Sequence, residues 1–277
     1  MNGIAGGIAW EDRGRVGAQP LLLVRPLGGS VALWGDFARV LERDLRVVSF
    51  DARGTGDSTG HPRVSTRSLA ADAISVLDAR GIACAHVFGI SLGGMVATRL
   101  AIGASSRVAS LIVASAPTRG VAFERAGFLR AFNFARCCAH TPRETERCIV
   151  TRVLSREFRA HHPAEATRIE ELAARTPSPH ASILAHVIAA ARHDVRGELG
   201  RVRTRTLILA GDRDHLLGPK AGLDLERGIE GSSRLVIEGA GHDLTLERPQ
   251  ETAARVLDLV LRVGAGDSVR GAMSLPA

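Results

Sequence analysis

The chain has 277 residues, 45% of them hydrophobic, and a formal net charge of +7. This length fits one large α/β domain or two small ones, with enough apolar residues to bury a sizeable core. The positive charge comes almost wholly from arginine, because Lys220 is the only lysine, and tyrosine is absent. The basic residues form no block and have no aromatic residues between them, which argues against a nucleic-acid-binding protein.

The N-terminus argues against a secreted or membrane protein. The first ten residues are apolar and glycine-rich, but they lack a positive n-region and are followed by Glu11, Asp12 and Arg13. This pattern predicts neither a signal peptide nor a membrane span, so we expect a cytoplasmic protein.

The cysteines show no metal-site spacing. No two of them form a C-x-x-C pair and no histidine stands at ligand spacing from them, which argues against a structural zinc site. We therefore expect reduced thiols, no metal and no cofactor. The four cysteines are Cys84, Cys137, Cys138 and Cys148.

The first part of the chain alternates strand and helix patterns. Residues 3–10 and 11–19 predict a weak strand pair, and residues 21–24 form an apolar run typical of a strand buried on both faces of a parallel sheet. Residues 45–50 predict another strand, followed by a glycine-rich loop at residues 51–58 that we interpret as structural.

Residues 85–94 have the pattern of a nucleophile elbow, a tight turn between a strand and a helix. The G-x-S-x-G sequence Gly89-Ile90-Ser91-Leu92-Gly93 stands between an apolar run and a helical pattern. Because the chain has 30 glycines, the motif alone could arise by chance, and its context carries the interpretation. The serine backbone at such a turn is strained, so its neighbours two positions away must lack bulk. The pattern predicts Ser91 as an exposed nucleophile.

After a predicted strand at residues 108–114, the pattern changes to helices interrupted by prolines, which we interpret as a lid at residues 119–196. This segment carries thirteen arginines against eight acidic residues, so it either steers an anionic ligand or is a solvated basic surface. Its phenylalanines are candidates for an apolar substrate lining, with packing inside the lid as an equal alternative. They are Phe123, Phe128, Phe132 and Phe134.

Strand patterns return at residues 206–210 and 235–237, and an amphipathic helix pattern follows at residues 249–263. The predicted fold class is α/β, with a mostly parallel, doubly wound sheet and a helical lid insertion. The expected divisions are a first core part at residues 1–118, the lid at 119–196, a second core part at 197–263 and a tail at 264–277.

Three polar residues each follow a predicted strand, where the loops of an open α/β sheet bring reactive groups together. Ser91 follows the elbow strand, Asp214 the next-to-last strand and His242 the last strand. This order predicts a catalytic triad in which His242 is the general base toward Ser91 and an acid orients the histidine. Chain geometry leaves that acid open between Asp214, Asp212 and Asp243.

Two backbone N–H groups are candidates for an oxyanion hole. The N–H of Leu92 lies at the start of the elbow helix, and that of Leu27 lies in the loop after the strand at residues 21–24. Donors at these places would stabilise the charge that develops on an attacked carbonyl oxygen.

With these motifs the chain resembles the α/β-hydrolase superfamily over about residues 20–262. The matching segments are Asp51-Ala52-Arg53-Gly54-Thr55-Gly56-Asp57-Ser58, Gly89-Ile90-Ser91-Leu92-Gly93-Gly94, Gly211-Asp212-Arg213-Asp214 and Gly239-Ala240-Gly241-His242. The resemblance implies the α/β-hydrolase fold and places the triad acid on Asp214. Within the superfamily, the chain looks most like the 3-oxoadipate enol-lactonase and small carboxylesterase group.

We therefore expect a serine hydrolase that cleaves a small carboxylic ester or lactone through an acyl-enzyme intermediate. One alternative is a thioesterase or methyl esterase for an acyl group on a carrier protein, because acyl carrier proteins are acidic and the lid is basic. The other is a binding module with impaired catalysis, because Arg25-Pro26 stands where many relatives carry His-Gly. Proline removes a backbone N–H from that loop.

Overall fold

The protein is described here by a computed structural model, which covers residues 1–60, 64–120 and 136–264. Eight strands of this part of the chain form a single sheet. They are β1 (Asn2–Ala5), β2 (Ile8–Gly14), β3 (Pro20–Val24), β4 (Arg46–Phe50), β5 (Ala85–Ile90), β6 (Val108–Ala114), β7 (Thr206–Gly211) and β8 (Ser233–Ile237).

The sheet order is β1-β2-β4-β3-β5-β6-β7-β8. The N-terminal pair β1 and β2 is antiparallel, and β2 joins β4 antiparallel, whereas β3 to β8 run parallel. The mostly parallel fold class predicted from the sequence is therefore confirmed. Val24 at the end of β3 pairs with Gly89 near the end of β5, which places the loop after β3 beside the elbow.

Helices cover both faces of the sheet and are numbered in chain order. They are α1 (Gly35–Leu41), α2 (Thr66–Ala79), α3 (Leu92–Gly103), α4 (Pro142–Val153), α5 (Arg156–His161), α6 (Pro163–Ala173), α7 (His180–Ala191), α8 (Leu223–Gly228), α9 (Leu244–Glu247) and α10 (Pro249–Gly264). Among these helices, none combines the length and the apolar content that crossing a membrane requires.

Two hydrophobic cores lie on the two faces of the sheet, because alternate side chains of a strand point to opposite faces. One core packs against α2 and α3 and includes Leu22 and Val87, which are fully buried. The other packs against α1 and α10 and includes Leu23 and Phe88, also fully buried. Burial on both faces explains the continuous apolar runs that predict these strands.

The described chain between β6 and β7 is helical, and we call its residues 136–196 the insert. It contains α4 to α7. An antiparallel bridge between Arg119, which follows β6, and Asp194 joins the chain after β6 to the end of the insert. A capping box starts α4, in which Thr141 and Glu144 each accept the backbone N–H of the other. Residues 265–277, most of the predicted tail, lie outside the described part of the chain.

Cys137 and Cys148 form a disulfide inside the insert, so the expectation that all four cysteines are reduced is wrong. Their separation of 11 residues matches no metal-site spacing, but α4 brings their Cα atoms to 5.6 Å, within the range that a disulfide spans. The two cysteines come close enough to pair only because α4 packs against the segment that precedes it. Cys84 is a free, exposed thiol.

Candidate active site

The elbow between β5 and α3 has the backbone that its glycines predict. Ser91 has φ 56° and ψ −120°, a conformation that residues other than glycine rarely adopt. A Cβ atom on Gly89 would overlap with the carbonyl group of Gly93. A Cβ atom on Gly93 would overlap with the carbonyl oxygens of Val24 and Arg25. Both glycines are therefore required for the close approach of α3, β5 and the end of β3.

The elbow places the hydroxyl of Ser91 beside His242, which also contacts Asp214. His242 Nε2 lies 2.8 Å from Ser91 Oγ, and His242 Nδ1 lies 2.9 Å from Asp214 Oδ2. Because a carboxylate only accepts, Nδ1 carries the ring proton and Nε2 can accept the serine hydrogen. The structure thus brings together the three residues that the sequence predicts as a triad.

Asp214 is the acid that contacts the histidine, and Asp212 is not. The second carboxylate oxygen of Asp214, Oδ1, accepts the N–H groups of Leu216 and Leu217 at 2.8 and 3.0 Å. Asp212 instead accepts the N–H of Gly239 at 2.6 Å and so braces the loop after β8. The geometry agrees with the assignment that the family resemblance implies.

Burial and charge act on the pKa values of this pair in opposite directions. Burial acts to lower the pKa of His242, but the carboxylate of Asp214 and two further acidic residues together raise it above its ordinary value. Burial acts to raise the pKa of Asp214, but the charge and hydrogen bond of His242 and two backbone N–H groups hold it below its usual range. Asp214 is therefore ionised at neutral pH.

The loop after β3 turns through two glycines, Gly28 with φ 69° and Gly29 with φ 71°. The N–H groups of Leu27 and Leu92 have no acceptor among the described residues, and both residues line the same cavity as the elbow serine. Pro26 supplies no N–H, but it leaves that of Leu27 in place. Both predicted oxyanion donors are therefore free to bind a ligand.

Arg25 is a buried cation behind this loop. Its side chain is 4% exposed, Nη2 donates to Asp243 Oδ2 at 3.4 Å, and the guanidinium lies 4.7 Å from the ring centre of Trp34. Burial lowers its pKa, while Asp243, Glu146 and Asp51 act to raise it. Asp243 thus pairs with the arginine and not with the histidine, which separates it from the role of triad acid.

A cavity of about 150 Å³ opens beside Ser91. A volume of that order holds a group of about the size of benzene. Its walls are mainly apolar: Met95, Pro117, Leu216, Leu217 and Leu246 from the core, and Ile149, Val150, Val153 and Val187 from the insert. Phe123, Phe128 and Phe132, predicted as substrate lining, lie outside the described residues, as does Phe134.

The insert is joined to the histidine loop by buried hydrogen bonds. The carbonyl of Val153, at the end of α4, accepts the N–H of His242 at 3.1 Å. Ser155 donates its N–H and hydroxyl to Glu247 at 2.6 and 2.7 Å, and Glu247 also accepts the N–H of Gly241. Burial raises the pKa of Glu247. The end of α4 therefore positions the loop that carries His242.

The sequence motifs do not point to Glu146, an acidic residue in the cavity wall. A signal for it exists in α4, where residues 146, 149, 150 and 153 are all buried. These positions follow the i, i+3, i+4, i+7 spacing of one helix face, so a carboxyl group stands on an otherwise apolar face. Within the described ranges, no group of three or more His, Cys, Asp or Glu side chains could hold a metal ion.

Comparison with known families agrees with this geometry. The family described as alpha/beta hydrolase fold matches residues 19–249, which include the elbow, Asp214 and His242. The resemblance that the motifs predict is therefore confirmed.

Individual relatives cover nearly the whole chain. It is 26% identical over 260 residues to the putative carbamate hydrolase RutD of Variovorax paradoxus strain S110, covering 92% of this chain and 97% of that protein. It is 28% identical over 245 residues to 3-oxoadipate enol-lactonase 1 of Acinetobacter baylyi, covering 87% and 88%. Among solved structures, a thermophilic esterase from Thermogutta terrifontis matches with a TM-score of 0.80 and 25% identity, covering 92% and 93%.

Proposed function

The chain belongs to the α/β-hydrolase-fold family, and from that premise we propose that it is a serine hydrolase that cleaves a small carboxylic ester or lactone. The observation that carries this proposal is the pair of hydrogen bonds that joins Asp214 to His242 and His242 to Ser91. The two bonds end at a serine on the wall of a cavity. A base within hydrogen-bond reach of the hydroxyl, itself oriented by an acid, is the arrangement that activates a nucleophile.

In the proposed reaction, Ser91 Oγ attacks the carbonyl carbon of the substrate while His242 Nε2 takes the hydroxyl proton. Asp214 holds the imidazole in the required tautomer and stabilises the imidazolium that forms. The N–H groups of Leu27 and Leu92 donate to the oxyanion of the tetrahedral intermediate. Each such donor accounts for a factor of about 10² to 10³ in rate in other serine hydrolases.

The intermediate collapses when His242 returns its proton to the leaving alcohol oxygen, which leaves an acyl group on Ser91. A water molecule then gives a proton to His242 and attacks the acyl carbon. The carboxylic acid departs and the serine regains its hydrogen. In a lactone the leaving oxygen belongs to the same molecule, so one open-chain hydroxy acid is the product.

The cavity and the relatives both support a small substrate. A cavity of about 150 Å³ with apolar walls suits a short acyl group. The names of relatives include a carbamate hydrolase, an enol-lactonase and an esterase, all of which act on a carbonyl that bears a leaving group. In this proposal residues 119–196 act as the lid of the site. Action on a carrier-bound acyl group stays a prediction from the basic charge of that segment.

The substitution Ser91→Ala tests the nucleophile. We expect kcat/KM for 4-nitrophenyl butyrate to fall by a factor of about 10⁴ or more, because the acyl-enzyme cannot form. Release of 4-nitrophenol measures the rate, and Ser106→Ala, at an exposed serine in the short 3-10 helix before β6, is the matched control. A Ser91→Ala protein with wild-type activity would refute the proposed function.

A further inference from the structure

Glu146 is a buried acidic residue in the wall of the candidate site, contributed by the insert. It is 1% exposed and lines the cavity that Ser91 also lines. Ile149 and Val150, its neighbours on the same face of α4, line the cavity too. The reaction described above gives this carboxyl group no role.

The two oxygens of Glu146 have different surroundings. Oε1 accepts the N–H of Ser178 at 3.0 Å and the N–H of Gly29 at 3.5 Å. Oε2 has no donor among the described residues. It lies beside Gly28, where a Cβ atom would stand 3.2 Å from it. One oxygen therefore holds the loop after β3, and the other lies beside that loop with no donor in the part of the chain that the structure describes.

The charged side chains behind the loop after β3 favour a hydrogen-bond donor of the substrate, and not an anionic group, beside Glu146 Oε2. Arg25 is the cation that interacts with Glu146, but its hydrogen bond goes to Asp243, and Asp51 adds a third acidic neighbour. The single guanidinium group of Arg25 thus interacts with three carboxyl groups. A free carboxylate oxygen in such surroundings accepts an N–H or O–H group and repels a substrate carboxylate.

We infer that Glu146 is a specificity-determining residue, whose Oε2 accepts a hydrogen bond from an N–H or O–H group of the substrate. This inference rests on the proposed hydrolysis at Ser91. Because Oε2 lies beside Gly28 and the proposed oxyanion donor is the adjacent Leu27, the substrate group stands a few bonds from the reacting carbonyl. The substrate class is thus a small ester, lactone or carbamate that carries a hydroxyl or amino group on its acyl side.

Three matched esters test this inference: 4-nitrophenyl butyrate and its 2-hydroxy and 3-hydroxy derivatives, with each rate divided by the rate of hydroxide-catalysed hydrolysis. We expect wild-type protein to prefer at least one hydroxy ester by a factor of about 10 in kcat/KM, because a site built to accept a hydrogen bond discriminates against an analogue that lacks the donor. In Glu146→Leu the preference falls to near unity, and in Glu146→Gln part of it remains because the amide oxygen still accepts.

Glu146 also accepts the N–H of Gly29, so its replacement has a structural effect as well. A structural effect lowers kcat/KM for all three esters alike, whereas lost recognition changes the ratio of their kcat/KM values. Glu171→Gln, at an exposed position of α6 in the same insert, should keep the wild-type ratio. Equal losses of rate on all three esters in Glu146→Leu would overturn the inference, as would a wild-type protein that shows no preference among them. In either case, turnover of 4-nitrophenyl butyrate by the wild-type protein would leave the proposed function standing.

A binding experiment gives a readout that needs no turnover. 2-Hydroxybutyramide and 3-hydroxybutyramide carry a hydroxyl donor on the acyl side that butyramide lacks. Calorimetric titration should show a preference for at least one hydroxy amide over butyramide in the wild-type protein and in Ser91→Ala, and none in Glu146→Leu. Equal binding of the three amides to the wild-type protein would count against a hydrogen-bond acceptor at this position.

Discussion

The two walls of the cavity differ in what they offer a substrate. The core wall presents Ser91 after β5 and His242 after β8, and hydrogen bonds join these two residues in a chain to Asp214 after β7. Among the described residues, the insert wall is apolar apart from Glu146, whose Oε2 has no hydrogen-bond donor there. In our account the core performs the chemistry and the insert selects the substrate.

The insert itself has two sides of opposite character. Its sequence is rich in arginine, and most of its described arginines are exposed. Two of them pair with neighbouring acids, Arg168 with Glu165 and Arg196 with Asp194. Its inner side presents an acid to the cavity. The net charge of the segment therefore describes its outer surface and does not predict which ligand the cavity prefers.

The largest expected effect concerns the core wall. Asp214→Asn should lower kcat/KM by a factor of about 10³ to 10⁴, because the amide can stabilise the wrong tautomer of His242 and carries no charge. Asp212→Asn, at a residue that contacts the N–H of Gly239 and the side chain of Arg213, is the matched control and should change kcat/KM by less than about tenfold. Steady-state hydrolysis of 4-nitrophenyl butyrate measures both.

The pH dependence of kcat/KM in the wild type and in Asp214→Asn gives a second, independent test of Asp214. His242 must lose its proton to act as a base, and its pKa is raised, so wild-type kcat/KM should rise with pH through a midpoint above about 6.5. In Asp214→Asn the attraction is lost while burial remains, so the midpoint should move to lower pH. An unchanged midpoint would contradict the assignment of Asp214.

The next largest expected effect concerns the junction of the two walls, where the side chain of Arg25 lies behind the loop after β3. Arg25→Met leaves Asp243 buried without its cation and should lower the free energy of unfolding by about 3–5 kcal/mol. Urea denaturation measures this, and Arg168→Met, which breaks an exposed pair, should cost less than about 1 kcal/mol. Equal stability of the two variants would show that Arg25 does not neutralise the buried acids.

The smallest expected effect belongs to the insert alone. Cys148→Ser removes the disulfide that closes a loop of 11 residues and should destabilise the protein by about 2–3 kcal/mol, through the entropy of the unfolded chain. Kinetics on 4-nitrophenyl butyrate should change by less than about threefold, because neither cysteine lines the cavity and the hydrogen bonds from Val153 and Ser155 to the histidine loop do not involve the disulfide. Cys84→Ser, at the free thiol, should change neither quantity. Two free thiols at Cys137 and Cys148 in oxidised wild-type protein would rule out the bridge.

The core wall is predictable from sequence because its geometry restricts residue types at fixed spacings. Only glycine fits two positions before and after Ser91, since a Cβ there overlaps with backbone atoms. The apolar runs of the parallel strands follow from burial on both faces. Chain order alone does not separate Asp214 from Asp212, because both follow β7, and only the three-dimensional path of the loop brings Asp214 to His242.

The insert wall is less predictable because an apolar lining requires only a helix face and no fixed motif. The disulfide joins residues whose spacing has no signature, and the packing of α4 against the segment that precedes it brings them together. Arg25 stands out in the sequence only as a departure from the related pattern, and its burial against Asp243 depends on a contact across 218 residues. Glu146 is the exception, since its place on an apolar helix face is visible in the sequence once the helix is assigned.

The most direct test of the central claim is labelling of the intact protein with a fluorophosphonate probe, followed by peptide mass analysis, in wild type and in His242→Ala. We predict one label on Ser91 in the wild-type protein and a labelling rate at least about 10³-fold lower in the variant, because the hydroxyl then lacks its base. A folded wild-type protein that the probe leaves unlabelled would contradict the account and favour a binding module with the hydrolase fold.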